Sequence, residues 1–229
     1  MRYDRQLDVF GKDGQSNIEG AHVAVAGCGG LGCKVATQLA LAGVGRFTLI
    51  DFDTVSETDL NRQFVHCGKT GKKTESLKEW ISEISGCEVE SIDGRLTEKN
   101  VRDFVGDADI VVDCLDNNES RLILNDGIVE KKVPLVHGGT NSMRGQVTFI
   151  SPGRTPCLAC FLGKDGKDNS SVGAAVSAVA SIQAAEALKY IAGRGELLEC
   201  RMLSIDLSKN LYEIYDIERN PKCGRCSRL

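Results

Sequence analysis

The segment His22-Val23-Ala24-Val25-Ala26 runs straight into Gly27-Cys28-Gly29-Gly30-Leu31-Gly32 and then into a helix-compatible stretch ending near Leu41. A short β-prone run, a glycine cluster and a helical stretch in that order leave few folds open. Gly27, Gly29 and Gly32 match the G-x-G-x-x-G spacing. Glycine there lets the chain turn sharply, brings the backbone close to phosphates, and lets the helix pack on the strand. The helix starting near Leu31 adds unpaired N–H groups and a positive dipole end to such an anion site. Arg46 to Asp51 reads as a second strand, so Ala21 to Asp51 forms a right-handed βαβ unit of about 30 residues. Asp51, at its end, is placed to bond ribose hydroxyls.

Strand and helix keep alternating beyond it. Lys73 to Ile84 reads as an amphipathic helix, Glu88 to Ile92 as a strand, and Thr97 to Val105 as a helix with Thr97 as N-cap. Ala108 to Cys114 reads as a buried strand, Leu122 to Lys131 as a helix and Pro134 to Gly138 as a strand. Gly145 to Ser151, Arg201 to Ile205 and Leu211 to Ile217 are strands without helices of crossover length between them, which predicts antiparallel pairing. Only Val172 to Ala192 interrupts them, a long helix of mostly Ala, Val and Ser that reads as buried core. The polar stretch Gly163 to Ser171 reads as a flexible loop. The expected fold is α/β, a Rossmann-like sheet with a parallel first half and a partly antiparallel second half. At 229 residues the chain suits a single domain, divided into a helical segment 1–20, a nucleotide-binding half 21–140 and a mixed half 141–229.

Charge and hydropathy exclude some partners. A net charge of -4 with both signs interspersed offers no basic stripe for nucleic acid. No apolar run approaches bilayer-spanning length, and Met1 to Gln6 lacks the apolar core of an export signal, so a cytoplasmic protein is expected.

A dinucleotide-dependent dehydrogenase would use the same loop and ribose carboxylate, so these alone do not choose the ligand. The residues that follow do. Asp51-Phe52-Asp53 precedes Leu60-Asn61-Arg62-Gln63 and then Lys73, adding cations and a second acid near the phosphate end. Taken singly, Arg62 or Lys73 would be a solvated surface charge. Together they suit ATP split between its α- and β-phosphates, which needs cations on the leaving pyrophosphate and acids for Mg²⁺. Another acidic group ends the later strand, in Asp113-Cys114-Leu115-Asp116-Asn117. Carboxyl ends of parallel strands face the ligand crevice, so Asp113 or Asp116 can reach the nucleotide, and Asp116 is favoured as the Mg²⁺ ligand. Asp116-Asn117 can equally cap the helix from Glu119.

Ten cysteines in a chain without an export signal read as thiols and metal ligands. Cys157-Leu158-Ala159-Cys160 and Cys223-Gly224-Arg225-Cys226 are matching C-x₂-C knuckles, each able to give two thiolates to one tetrahedral Zn²⁺. With four protein ligands the ion has no open position and is structural. Paired disulfides or a redox C-x-x-C explain two matching knuckles less well. Cys28, Cys33, Cys67, Cys87, Cys114 and Cys200 show no ligand spacing, and most read as small core residues.

Arg2-Tyr3-Asp4-Arg5-Gln6, Val25 to Gly32, Leu49 to Val55, Leu60 to Gln63, Asp113 to Asn117 and the two knuckles, in that order, resemble the MoeB/ThiF family of ubiquitin-activating-like adenylyltransferases. The resemblance covers nearly the whole chain. It implies ATP and Mg²⁺ binding, and adenylation of the C-terminal Gly-Gly carboxylate of a small ubiquitin-fold sulfur carrier for thiamine, molybdenum-cofactor or related thio-cofactor synthesis. It also implies a homodimer in which Arg5 reaches the partner subunit's site. By position, Gly27, Gly29, Gly30, Gly32, Asp51, Asp53, Asn61 and Asn117 would line the nucleotide, Arg62 and Lys73 would stabilise phosphates, and Asp116 would hold magnesium. The second half, 141–229, would bind the carrier. The chain departs from the family pattern in two places. Asp59 stands where Asn is usual, an extra negative charge near the phosphates. Gly163 to Val172 has no cysteine where many members carry one for a covalent step, so the product is expected to be the acyl-adenylate, with Cys67 the substitute thiol otherwise. Lys72 competes with Lys73 as the catalytic cation. An inactive scaffold holding a ubiquitin-like partner is the remaining alternative.

Overall fold

The computed structural model describes residues 2–163 and 170–226. Among them are eight strands, β1 (His22–Ala26), β2 (Arg46–Asp51), β3 (Glu88–Asp93), β4 (Ile110–Asp113), β5 (Leu135–Asn141), β6 (Arg144–Ile150), β7 (Arg201–Asp206) and β8 (Leu211–Asp216). They form one sheet in the order β3-β2-β1-β4-β5-β6-β7-β8. Pairing is parallel from β3 to β5 and antiparallel from β5 to β8. The switch has a local cause. Asn141 pairs with Arg144 across Ser142-Met143, and Ser142 adopts φ 54°, so a two-residue hairpin returns the chain antiparallel.

The helices are α1 (Asp4–Gly20), α2 (Gly30–Ala42), α3 (Lys73–Ser85), α4 (Val101–Val105), α5 (Asn118–Lys131), α6 (Leu158–Phe161) and α7 (Gly173–Ala192). Alternate side chains of β1 serve opposite layers, as a strand's twofold periodicity requires. Val23 and Val25 join the core built with α1, α2, α3 and α7. Ala24 and Ala26 join the core built with α4, α5 and α6. Helix α7 buries Val176, Val179, Ala180, Ala184 and Ala187 against that first layer, the core role its small residues suggested.

Several boundaries move for identifiable reasons. Thr97 is not an N-cap: its N–H and hydroxyl both donate to Asn100 Oδ1, at 2.7 and 3.0 Å, making a turn that delays α4 to Val101. Helix α5 begins well before Leu122, because Asn117 Oδ1 accepts the Ser120 N–H at 2.9 Å and caps it. The N-terminal segment is helical over Asp4–Gly20 but kinked at Gly11, φ 73°. Most of the loop read as flexible, residues 164–169, lies outside the described residues.

Gly32 is the tightest point of the strand-to-helix turn. A Cβ there would lie 1.8 Å from the Gly27 carbonyl oxygen, a backbone atom that cannot yield. Gly32→Ala is expected to destabilise by about 3 kcal/mol, the upper part of the overpacking range. That lowers the melting temperature by roughly 6 to 12 °C, readable by thermal denaturation. A melting curve matching the unsubstituted protein would contradict this packing.

Candidate nucleotide site and cysteine centre

Strands β1 and β4 are neighbours, and the connections from their carboxyl ends leave in opposite directions, to β2 and to β5, which opens a crevice there. The glycine loop lies in that crevice. Gly27 takes φ 94°, and a Cβ on it would come 2.6 Å from the Cys114 carbonyl oxygen, so the loop lies directly on the residue after β4. Helix α2 starts from Gly29 with no side-chain cap, which leaves its first N–H groups turned toward the crevice.

Asp51 organises the loop from below. Its Oδ2 accepts the Cys28 N–H at 2.7 Å and its Oδ1 accepts the Asp53 N–H at 2.8 Å. Burial pushes the Asp51 carboxyl up, and these N–H groups offset part of the shift. The other side of the Cys28 peptide meets His66, whose Nε2 is 3.0 Å from the carbonyl oxygen. A carbonyl only accepts, so Nε2 carries the proton and Nδ1 accepts from the Ser76 hydroxyl at 2.8 Å. His66 is fully buried, and burial pulls its pKa down, which favours this neutral form.

The phosphate-end charges converge on Asp59. Its carboxylate meets Lys73 Nζ at 3.2 Å, the Arg62 guanidinium at 3.4 Å, Gln63 Nε2 at 2.9 Å and the Ser56 N–H at 3.2 Å. Lys73 also lies 3.2 Å from Asp53. Lys73 is only 5% exposed; burial acts to lower its pKa, but Asp53 and Asp59 outweigh it and hold the ammonium charged. Asp59, the extra negative charge expected near the phosphates, is paired with two cations and positions them. Arg62 additionally donates to the Thr58 carbonyl at 2.8 Å and to Asn61 Oδ1 at 2.9 Å. Lys72 points elsewhere, to Asp93 at 3.0 Å and the Phe52 carbonyl at 3.2 Å. Of the two lysines, only Lys73 enters the cluster.

Across the crevice Asp113 is fully buried. It is held by His137 Nδ1 at 2.7 Å and Arg121 Nε at 3.3 Å, and its Oδ1 accepts the Leu115 N–H at 3.0 Å. Burial alone would raise the Asp113 pKa, but Arg121 and His137 hold it below the usual carboxylate range. Asp113 therefore braces the wall, while Asp116 stands exposed beyond it and accepts from Asn117 Nδ2 at 3.0 Å. Arg5 does not join these residues. Tyr3 lies against Gly43 and Gln6 donates to the Ala42 carbonyl at 3.0 Å, at the C-terminal end of α2. Helix α2 has 13 residues, so Gly30 is about 20 Å from that end.

The four knuckle cysteines come together at the start of α6 and in the C-terminal segment. Their sulfurs lie 3.9 Å apart for Cys157 and Cys160, 3.8 Å for Cys157 and Cys223, and 3.6 Å for Cys160 and Cys226. Tetrahedral Zn²⁺ with bonds of about 2.3 Å separates its sulfurs by about 3.8 Å, so the donor set and its spacing fit. Burial pushes the Cys223 thiol up, but N–H groups of Arg225 and Cys226 leave it at about 7, within reach of the thiolate a metal needs. Among the other cysteines, Cys28, Cys33 and Cys114 are core residues as expected, whereas Cys67 and Cys200 are exposed.

The chain matches the sequence model of the ThiF family over residues 3–225. It belongs to the ThiF family. The chain is 35% identical over 242 residues to the adenylyltransferase and sulfurtransferase MOCS3 of Drosophila yakuba, covering 99% of itself and 53% of that protein. It thus spans about half the length of the MOCS3 relatives. The molybdopterin-synthase adenylyltransferase of Escherichia coli K12 is 35% identical over 240 residues, covering 100% of this chain and 96% of that one. The SAMP-activating enzyme E1 of Haloferax volcanii is 33% identical over 98% of this chain and 88% of that one. Solved E. coli MccB with ATP shares the fold, with a TM-score of 0.89 at 24% identity over 99% of this chain and 75% of that chain.

In this ThiF chain, sequence reading missed Lys34, His66 and His137. Lys34 is four residues beyond Gly30 on α2, and that helical spacing was the one signal available for it. The two histidines carry no motif, and only the fold brings them to Cys28 and Asp113. Among the described residues, no helix is long and apolar enough to cross a membrane.

Proposed function

We propose that this chain uses ATP to adenylate the C-terminal Gly-Gly carboxylate of a ubiquitin-fold sulfur carrier, releasing pyrophosphate, in the cytoplasmic synthesis of thiamine, molybdenum cofactor or a related thio-cofactor. The observation that carries the reading is the Lys73–Asp59–Arg62 cluster beside an uncapped helix N-terminus and glycine loop. A dinucleotide site has no need of two cations held this way. The names of its full-length relatives, molybdopterin-synthase adenylyltransferase and SAMP-activating enzyme E1, point the same way.

A carboxylate oxygen of the carrier bonds to the α-phosphorus, the bond from that phosphorus to the bridging oxygen breaks, and its electron pair leaves on pyrophosphate. No general base is needed, because the nucleophile is already ionised near neutral pH. What the step needs is relief of repulsion between two anions and stabilisation of the leaving charge. Lys73, fixed between two carboxylates, and Arg62, fixed by Asp59, supply the cations; the α2 N–H groups supply neutral donors. Asp51 serves the ribose, and Asp116, exposed at the crevice, is the residue for Mg²⁺, which when bound neutralises phosphate charge. Arg5, exposed and between Tyr3 and Gln6 at the end of α2 away from its own loop, suits a homodimer in which it completes the partner subunit's site. Zinc at the four cysteines has a structural role. The absence of cysteine from Gly163 to Val172 supports an acyl-adenylate as the end product.

Mass spectrometry of Gly-Gly-ended carriers after incubation with the protein and MgATP is expected to show addition of one AMP, abolished by truncating the last glycine. Exchange of pyrophosphate into ATP that no such carrier stimulates, or tight NAD binding without ATP binding, would refute the reading.

A further inference from the structure

Arg121, near the start of α5, has no part in the chemistry described above, yet its side chain reaches back past the helix end. Nη2 donates to the Leu115 carbonyl at 2.6 Å and to the Gly138 carbonyl of β5 at 3.3 Å. Side chains of a helix lean toward its N-terminus, which brings the Leu115 carbonyl within reach. Nε lies 3.3 Å from Asp113 but is not aligned as a hydrogen bond. A guanidinium commonly meets a carboxylate through two parallel N–H bonds. Arg121 gives up that alignment and directs its short hydrogen bond at the backbone.

Leu115 is thereby held twice. Its N–H donates to Asp113 Oδ1 at 3.0 Å and its carbonyl accepts from Arg121. These groups belong to the peptide planes on either side of its Cα, so together they restrict both backbone dihedrals of Leu115. Asp113 is itself fixed from behind. His137 Nδ1 lies 2.7 Å from Asp113 Oδ2, and Gln146 Nε2 lies 3.2 Å from His137 Nε2. A carboxylate only accepts, so Nδ1 carries the proton and Nε2 accepts from Gln146. Burial pulls the His137 pKa down, which favours that neutral form. At the other end Asn117 is pinned as the cap of α5, and its carbonyl accepts the Arg121 N–H at 3.2 Å. Asp116 stands between these two fixed points. Its hydrogen-bond partner is the neutral Asn117 amide, so the carboxylate keeps its charge for a cation.

We propose that Arg121 is a positioning residue of the nucleotide site: by clamping Leu115 against Asp113 it fixes the turn that presents Asp116 to the metal-bound phosphates. The inference rests on the reading of Asp116 as the Mg²⁺ residue, and adds to it a residue that touches neither nucleotide nor metal. Neutralising buried Asp113 is the plainer role, and any cation in that place would fill it. The clamp needs a fork that reaches the carboxylate and the Leu115 carbonyl together, which a lysine ammonium on a single stem does not provide.

Calorimetric titration of the full chain with ATP tests it, in excess magnesium chloride and again in EDTA, with melting curves to establish that each variant is folded. Arg121→Lys keeps the charge beside Asp113 and loses the fork. It is expected to weaken MgATP about tenfold, the lower end of the loss seen when a group that orients a metal ligand is removed, and to leave ATP in EDTA within about threefold. The loss should vanish in an Asp116→Ala background, because a residue that acts through Asp116 then has nothing to position. Asp113→Asn/Arg121→Gln removes both charges, leaves no buried charge unpaired and still lacks the clamp. Measured against Asp113→Asn alone, it should show the same tenfold loss of MgATP, which neutralisation of Asp113 does not predict. MgATP binding unchanged in Arg121→Lys, a loss undiminished in the Asp116→Ala background, or Asp116→Ala without effect on MgATP overturns the proposal. If the coupling is found but no carrier is adenylated, the clamp stands and the carrier reading falls. If carriers are adenylated and MgATP affinity ignores Arg121→Lys, only the clamp falls.

Discussion

Lys73→Ala is expected to lower carrier-dependent adenylate formation by roughly 100- to 1000-fold, the loss found when one preorganised donor to a developing negative charge is removed. The effect should appear in the rate and spare AMP affinity, since AMP lacks the leaving phosphates and the pyrophosphate gains its additional negative charge only as the bond breaks. A second consequence is structural. Asp59 is 7% exposed and would keep only Arg62, Gln63 and the Ser56 N–H, so a loss of about 1 to 3 kcal/mol of stability accompanies the rate effect. Rates must therefore be compared well below the melting temperature. Lys72→Ala is the matched control. Its partner Asp93 is half-exposed, and such surface pairs contribute about 0 to 1 kcal/mol, so it should leave adenylation within about twofold. A Lys73→Ala rate within tenfold of the original, or a larger loss in Lys72→Ala, would show that the cation is misassigned.

The second large effect concerns the cysteine centre. The purified chain is expected to carry one zinc, measurable by metal analysis, and Cys157→Ser or Cys223→Ser should release it. Structural zinc contributes about 10 to 16 kcal/mol in small finger peptides. Even a third of the lower figure, at about 2 to 4 °C per kcal/mol for chains of this size, lowers the melting temperature by roughly 10 °C. The centre ties three segments together. Cys157 and Cys160 come from the start of α6, Cys223 and Cys226 from the C-terminal stretch, and Arg225 donates to Asp126 at 2.5 Å and to the Leu122 carbonyl on α5 at 2.7 Å. Release of the ion should loosen the C-terminal stretch first and leave adenylation per folded molecule within a few-fold. Protein that contains no zinc when prepared without chelator, with serine variants melting like the original, would exclude a metal here.

The sequence was most informative where chemistry depends on local spacing. The glycine cluster, Asp51 and the C-x₂-C pairs each state their geometry within a few residues, and the structure places the loop, the carboxylate beneath it and four convergent sulfurs accordingly. It was least informative where one side chain takes its role from a distant one. Asp59 read only as an extra negative charge near the phosphates, and its pairing with Lys73 and Arg62 comes from the turn after β2. Neighbouring lysines 72 and 73 are equivalent in sequence. They differ only because the start of α3 turns one toward Asp93 and the other into the cluster.

By itself the sequence determined the strand-loop-helix core, the order of strands and helices, and the residue types that anion and metal chemistry require. These follow from periodicity, from glycine's missing Cβ and from ligand spacing, which are properties of adjacent residues. The tertiary structure alone decided the charge pairing: Asp59 shared between two cations, His66 on the Cys28 carbonyl, Asp113 turned into the wall, and Lys34 on the Arg62 carbonyl. Coulomb and hydrogen-bond energies depend on distances across the sheet, and the fold sets those distances for residues far apart in the chain.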